Sequence, residues 1–71
     1  MNQNQKIQII VSAILLRLHG ATVQRKNYEV HISRGNCQVD IAWGSGFIMI
    51  DMASDCDKKL FEEIKDIIFE R

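Results

Sequence analysis

Seventy-one residues make one domain, so 1–71 is read as a single folding unit with no room for a second. Apolar residues make up 46% and charged residues 25%, which excludes a disordered chain, and a formal charge of zero excludes a uniformly basic nucleic-acid wrapper. The charge is uneven along the chain. Residues 1–35 hold Lys6, Arg17, Arg25, Lys26 and Arg34 against Glu29, a balance of +4; residues 36–71 hold Lys58, Lys59, Lys65 and Arg71 against eight carboxylates, a balance of −4.

The first element is a helix. Ile7, Ile10, Val11, Ile14, Leu15 and Leu18 recur at three- and four-residue steps, the spacing of an amphipathic helix. Asn2 or Asn4 supplies its N-cap, and Gly20 suits the position just past its end. A second apolar stripe of Ile9, Ala13 and Leu16 leaves few positions for water, so one sheet cannot cover the whole helix. The run Ile7 to Leu16 is broken by Gln8 and Ser12 and falls short of the roughly 20 residues that span a bilayer. It is expected to be a buried helix, with no membrane partner.

Strand signals follow. Ala21 to Arg25 reads as a short edge strand, with Lys26-Asn27 as a turn. Tyr28, Val30 and Ile32 alternate with Glu29, His31 and Ser33, a half-buried strand by period two. After a turn at Arg34-Gly35, Cys37, Val39, Ile41 and Trp43 alternate with Gln38, Asp40 and Ala42. Gly44-Ser45-Gly46 marks the next turn, and Phe47 to Met52 is apolar on both faces apart from Asp51. Two-residue loops at Arg34-Gly35 and Ser45-Gly46 would pair Val30 with Val39, Tyr28 with Ile41, Ile41 with Ile50 and Trp43 with Ile48. Both hairpins then place Tyr28, Val30, Ile32, Cys37, Val39, Ile41, Trp43, Ile48, Ile50 and Met52 on one face, which is the strongest structural inference the sequence offers.

A second helix closes the chain. Ser54 to Asp57 offers its cap, and Leu60, Phe61, Ile64, Ile67 and Ile68 form one apolar stripe. The expected fold is therefore α+β: an antiparallel three- to four-stranded sheet packed on one face by an N-terminal and a C-terminal helix, in α-β-β-β-α order. Cys37 and Cys56 form no metal or redox spacing and fit two reduced thiols in a cytoplasmic protein, with one bridge between them as the less favoured alternative.

The inferred register sets Glu29, Asp40 and Asp51 in a row across the helix-free face of the sheet, with His31 two residues from Glu29. Such a row reads first as a solvated face, and only second as a cation site, because a flat open sheet lacks the six or more oxygens calcium prefers. No nucleophile elbow, phosphate loop, zinc spacing or dinucleotide fingerprint occurs, so neither an enzyme nor a cofactor or metal site is expected.

Two surfaces look used: the second stripe of the first helix (Ile9, Leu16) and the outer side of the last strand (Phe47, Met49). An apolar strand at a sheet edge is normally covered, which points to another protein as partner and to a homodimer as the commonest solution. The order helix, three strands, helix is similar to the double-stranded-RNA-binding fold. In that family a basic cluster opening the second helix grips phosphates, and Lys58 and Lys59 match two of its positions, flanked by acids. Small ribonuclease toxins share the layout. This resemblance implies an alternative, nucleic-acid-binding or ribonuclease-like, using Arg25, Lys26, Arg34, Lys58 and Lys59. The compact α+β domain with an acidic half also resembles small phage-encoded inhibitors of bacterial defence, among them anti-CRISPR proteins. The favoured expectation is a non-enzymatic protein-binding domain, an inhibitor from a phage or mobile element, acting through Phe47, Met49, Ile9, Leu16, Asp40, Asp51 and Glu29.

Overall fold

The computed structural model describes residues 2–52 and 58–69. Its elements run α1 (Gln3–Arg17), β1 (Thr22–Lys26), β2 (Glu29–Arg34), β3 (Cys37–Gly44), β4 (Phe47–Met52) and α2 (Lys58–Phe69). The strands form one antiparallel sheet in the order β1-β2-β3-β4. The α+β class and the two terminal helices stand as expected, with four strands in place of the three of the double-stranded-RNA-binding layout.

Helix α1 starts at Asn2, whose side chain accepts from the Gln5 amide at 2.8 Å while the Gln5 side chain accepts from the Asn2 amide at 3.1 Å. This reciprocal box satisfies two amides that the first turn would leave bare. The helix buries Ile7, Val11 and Ile14. Leu15, expected on that stripe, is exposed: the buried row is Ile7, Val11, Ile14 and Leu18, and Leu15 lies about 100° around the helix from Ile14. The C-cap is Leu18, so Gly20, with φ +80°, belongs to the turn beyond the helix and does not terminate it.

Core residues from both helices and from the central strands meet in one cluster: Ile7, Val11, Ile14 and Leu18 on α1; Val30, Ile32, Cys37, Val39, Ile41 and Trp43 on the sheet; Leu60, Ile64 and Ile67 on α2. Each fully buried large apolar side chain contributes about 1.5–3 kcal/mol relative to exposure. The expected strand alternation holds through β3, whose residues are buried at every second position. The expected cap of α2 lies outside the described residues, which begin again at Lys58.

Three local expectations are corrected. The β2–β3 loop is Gly35-Asn36, so the register pairs Val30 with Ile41, Ile32 with Val39 and Arg34 with Cys37. Gly35 takes φ +63° at the first loop position, a conformation that glycine adopts without steric cost and arginine does not. The shift is two residues, so every side chain keeps its face. The β1–β2 loop is Asn27-Tyr28, closed by the Lys26–Glu29 pair. Asn27 holds φ +54°, which asparagine tolerates better than most residues, and Tyr28 sits at the hairpin tip, 51% exposed, outside the core expected for it.

The third correction concerns sulfur. Cys37 is buried and disulfide-bonded, against the expectation of two reduced thiols. The sequence holds one other cysteine, Cys56, which lies outside the described residues. The β3–β4 hairpin returns Met52 to Val39, two residues from Cys37.

Candidate functional site

The helix-free face of the sheet is built from alternate residues of each strand. Gln24 on β1 lies opposite His31, His31 opposite Asp40, and Asp40 opposite Asp51. The two-residue register shift thus puts a histidine where Glu29 was expected, and Glu29 instead faces Ala42. Asp40 and Asp51 remain directly opposed, as the sequence indicated.

His31 is held from both sides. Its Nδ1 lies 2.7 Å from Asp40 Oδ1 and its Nε2 3.3 Å from Glu29 Oε1. An ionised carboxylate only accepts, so Nδ1 carries the proton shared with Asp40. Asp40 Oδ1 also accepts from Gln38 Nε2 at 3.0 Å. The hydrogen bond to Asp40 raises the His31 pKa above its ordinary value, helped by the charges of Asp40 and Glu29 and opposed by desolvation. The bonds from Gln38 and His31 lower that of Asp40. Protonated His31 relieves the repulsion among Glu29, Asp40 and Asp51, a role expected from the sequence of Arg25, Lys26 or Arg34; Arg25 instead bonds α1 and Arg34 pairs with Glu63.

The geometry does not assemble a cation site from these groups. The two ring nitrogens point apart at different carboxylates, and among the described residues no group of three or more His, Cys, Asp or Glu side chains could hold a metal ion. The row of Glu29, Asp40 and Asp51 is replaced by His31 flanked by two acids.

At the other end of the sheet lies an apolar groove of about 840 Å³ between the start of α1, the end of α2 and the β3–β4 hairpin. Ile9, Trp43, Phe47, Ile48, Ile67 and Phe69 line it, together with polar Gln3 and Lys6. Phe47 and Met49 are 55% and 59% exposed, as expected of the outer side of β4. Ile9 joins Phe47 in this groove, whereas Leu16, 80% exposed, lies apart from it on α1. Phe69 is the groove residue sequence reasoning missed: it lies off the α2 stripe, on the side of Glu62, Lys65 and Asp66, and is exposed.

The basic residues do not converge. Arg25 is bound to α1 and its own hairpin, donating to Asn4, to Gln8 Oε1 at 3.0 Å and to the Asn27 carbonyl at 3.3 Å. Lys26 closes that same hairpin. Arg34 sits at the opposite end of β2, where it pairs with Glu63 of α2 at 3.2 Å. Lys58 and Lys59 open α2, exposed. One strand length therefore separates the two halves of the basic set.

No helix among the described residues is long and apolar enough to cross a membrane. Comparison of the chain with protein-family models, with curated proteins and with solved structures finds no match.

Proposed function

We propose that this chain is a non-enzymatic protein-binding domain whose contact surface is the β4 edge and the groove beside it. The observation that carries the reading is the exposure of Phe47 and Met49 on an edge strand whose other face, at Ile48, is also open. Edge strands exposed on both faces and nearly free of charge are aggregation-prone unless a partner covers them. Ile9 and Phe69 extend the apolar surface onto both helices.

A narrower form of this proposal is an inhibitor of a host protein, such as a phage-encoded one, that presents Asp40, Asp51 and Glu29 as an acidic face. In its favour, Asp40 and Asp51 are directly opposed on adjacent strands, which gives the face a concentrated negative charge at pH values where His31 is neutral. The nucleic-acid alternative draws less support, because its basic residues divide between two ends of the sheet and Arg34 pairs with Glu63. As to compartment, lasting disulfides are rare in cytosolic proteins. The bridge at Cys37 therefore favours oxidising surroundings over the cytoplasm.

The test is an affinity pull-down of the tagged chain from bacterial lysate, with and without nuclease. A stoichiometric protein band that survives nuclease and is lost with Met49→Lys supports the proposal. Recovery of nucleic acid alone would overturn it in favour of the alternative.

A further inference from the structure

The two edges of the sheet are guarded differently. The β1 edge carries Gln24, Arg25 and Lys26, the kind of residue natural edges use against unwanted pairing. The β4 edge carries one charge, Asp51, among Phe47, Ile48, Met49, Ile50 and Met52. It has no proline, and its register on β3 runs without a bulge from Gly44↔Phe47 to Val39↔Met52.

One hydrogen bond fixes where the backbone groups of β4 point. Trp43 donates its N–H to the Tyr28 carbonyl at 2.9 Å, across to the β2 side. Hydrogen-bonding direction alternates along a strand, so Asp40, Ala42 and Gly44 turn their polar groups toward β4. Their partners Asp51, Met49 and Phe47 therefore spend their amides and carbonyls on β3. Ile48, Ile50 and Met52 direct theirs off the sheet. Among the described residues no strand meets them, since the order ends at β4.

We propose that a second copy of this chain occupies that edge, antiparallel about a two-fold axis at Ile50; the inference rests on the protein-binding reading of β4. In this register Ile50 pairs with Ile50 of the second copy and Ile48 with its Met52, so every outward amide and carbonyl of the edge finds a partner. Ile48, Ile50 and Met52 share the helix side of the sheet with Trp43, Ile41 and Val39. The axis runs perpendicular to the sheet, so both helix layers fall on one side and the half-covered ends of the two cores become continuous. Charge also suits a copy: Asp51 stands opposite Met49 of the second copy, not opposite its Asp51. Half-exposed Phe47, Ile48 and Met49, with the edge backbone, make the interface a small one, at or below about 1,000 Å² in all. Such an area fits a dimer that dissociates at low concentration.

The experiment combines sedimentation equilibrium at tens of micromolar with residue-resolved amide hydrogen exchange of the intact chain. The expected result is twice the monomer mass, with the Ile48, Ile50 and Met52 amides slowing on the order of tenfold between dilute and concentrated samples. Ile50→Pro deletes an outward N–H and spares the bonds to β3, and it should sediment as a monomer; if it does not fold, Ile48→Lys places a charge on the same edge. Monomer mass with concentration-independent exchange at these amides overturns the second copy, as does a dimer that survives both variants. A monomer that still binds a different protein, lost with Met49→Lys, overturns this inference and leaves the protein-binding reading standing. A monomer without such binding overturns both.

Discussion

His31 Nδ1 donates to Asp40 Oδ1 at 2.7 Å across the β2–β3 pair, on the face of the sheet that no helix covers. The alternation set by the Trp43–Tyr28 bond makes this a non-hydrogen-bonded pair, the kind in which opposed side chains approach most closely.

That contact gives stability a defined pH dependence. The His31 pKa is raised in the folded state, so its contribution is full below the unfolded value and is lost as pH rises through the folded one. Asp40 is lowered, so its contribution is present above the unfolded carboxylate value and is lost as pH falls through the folded one. Stability from the pair should therefore peak between the two and decline on either side. Both side chains are about one-third exposed, so the effect is modest. Thermal melts of wild type and His31→Gln across pH 5 to 9 should differ most on the acid side of neutrality and converge above it. Parallel profiles for the two proteins would contradict the assignment.

Cys37 closes a disulfide in a chain whose only other cysteine is Cys56. A disulfide in a small domain typically stabilises by about 2–4 kcal/mol, mainly by constraining the unfolded chain. Reductant should lower the melting temperature of the wild type markedly and leave that of Cys37→Ser unchanged. Equal melts with and without reductant would show that the bridge does not form in solution.

Phe47 lays its ring over Gly44, its cross-strand partner, in the space a Cβ there would need. Gly44→Ala should displace the ring, which is free to swing because its outer side is open. The expected cost is about 1 kcal/mol in denaturant melts, with a changed aromatic chemical shift at Phe47. An unaltered Phe47 environment would count against this packing.

Ile41 and Ile64 are fully buried, one on β3 and one on α2. Truncating either to alanine should cost about 2–5 kcal/mol, enough to unfold much of a domain this small. Leu16→Glu, on the exposed stripe of α1 away from the groove, should change stability by no more than about 0.5 kcal/mol. Chemical denaturation of the three variants provides the comparison. A large loss in Leu16→Glu would mean that the α1 stripe is covered in solution.

The residue pattern alone determined the helices, the strands and the face taken by the central strand residues, because these depend on local periodicity. Ile7, Val11 and Ile14 recur at helical spacing, and Val39, Ile41 and Trp43 at strand spacing; a two-residue slip in pairing leaves those faces unchanged. It also indicated the exposed Phe47–Met49 surface and the Asp40–Asp51 opposition. Tertiary structure decided what depends on distance across strands. The loop at Gly35-Asn36, set by backbone conformation and not by hydrophobic pattern, made His31 and not Glu29 the neighbour of Asp40. The Asn27-Tyr28 loop put Tyr28 at a hairpin tip outside the core, and the β3–β4 return brought Met52 back beside the Cys37 end of the sheet. The groove that gathers Ile9, Phe47 and Phe69 brings together residues of α1, the β3–β4 hairpin and α2, which are distant in sequence, so no local pattern records it.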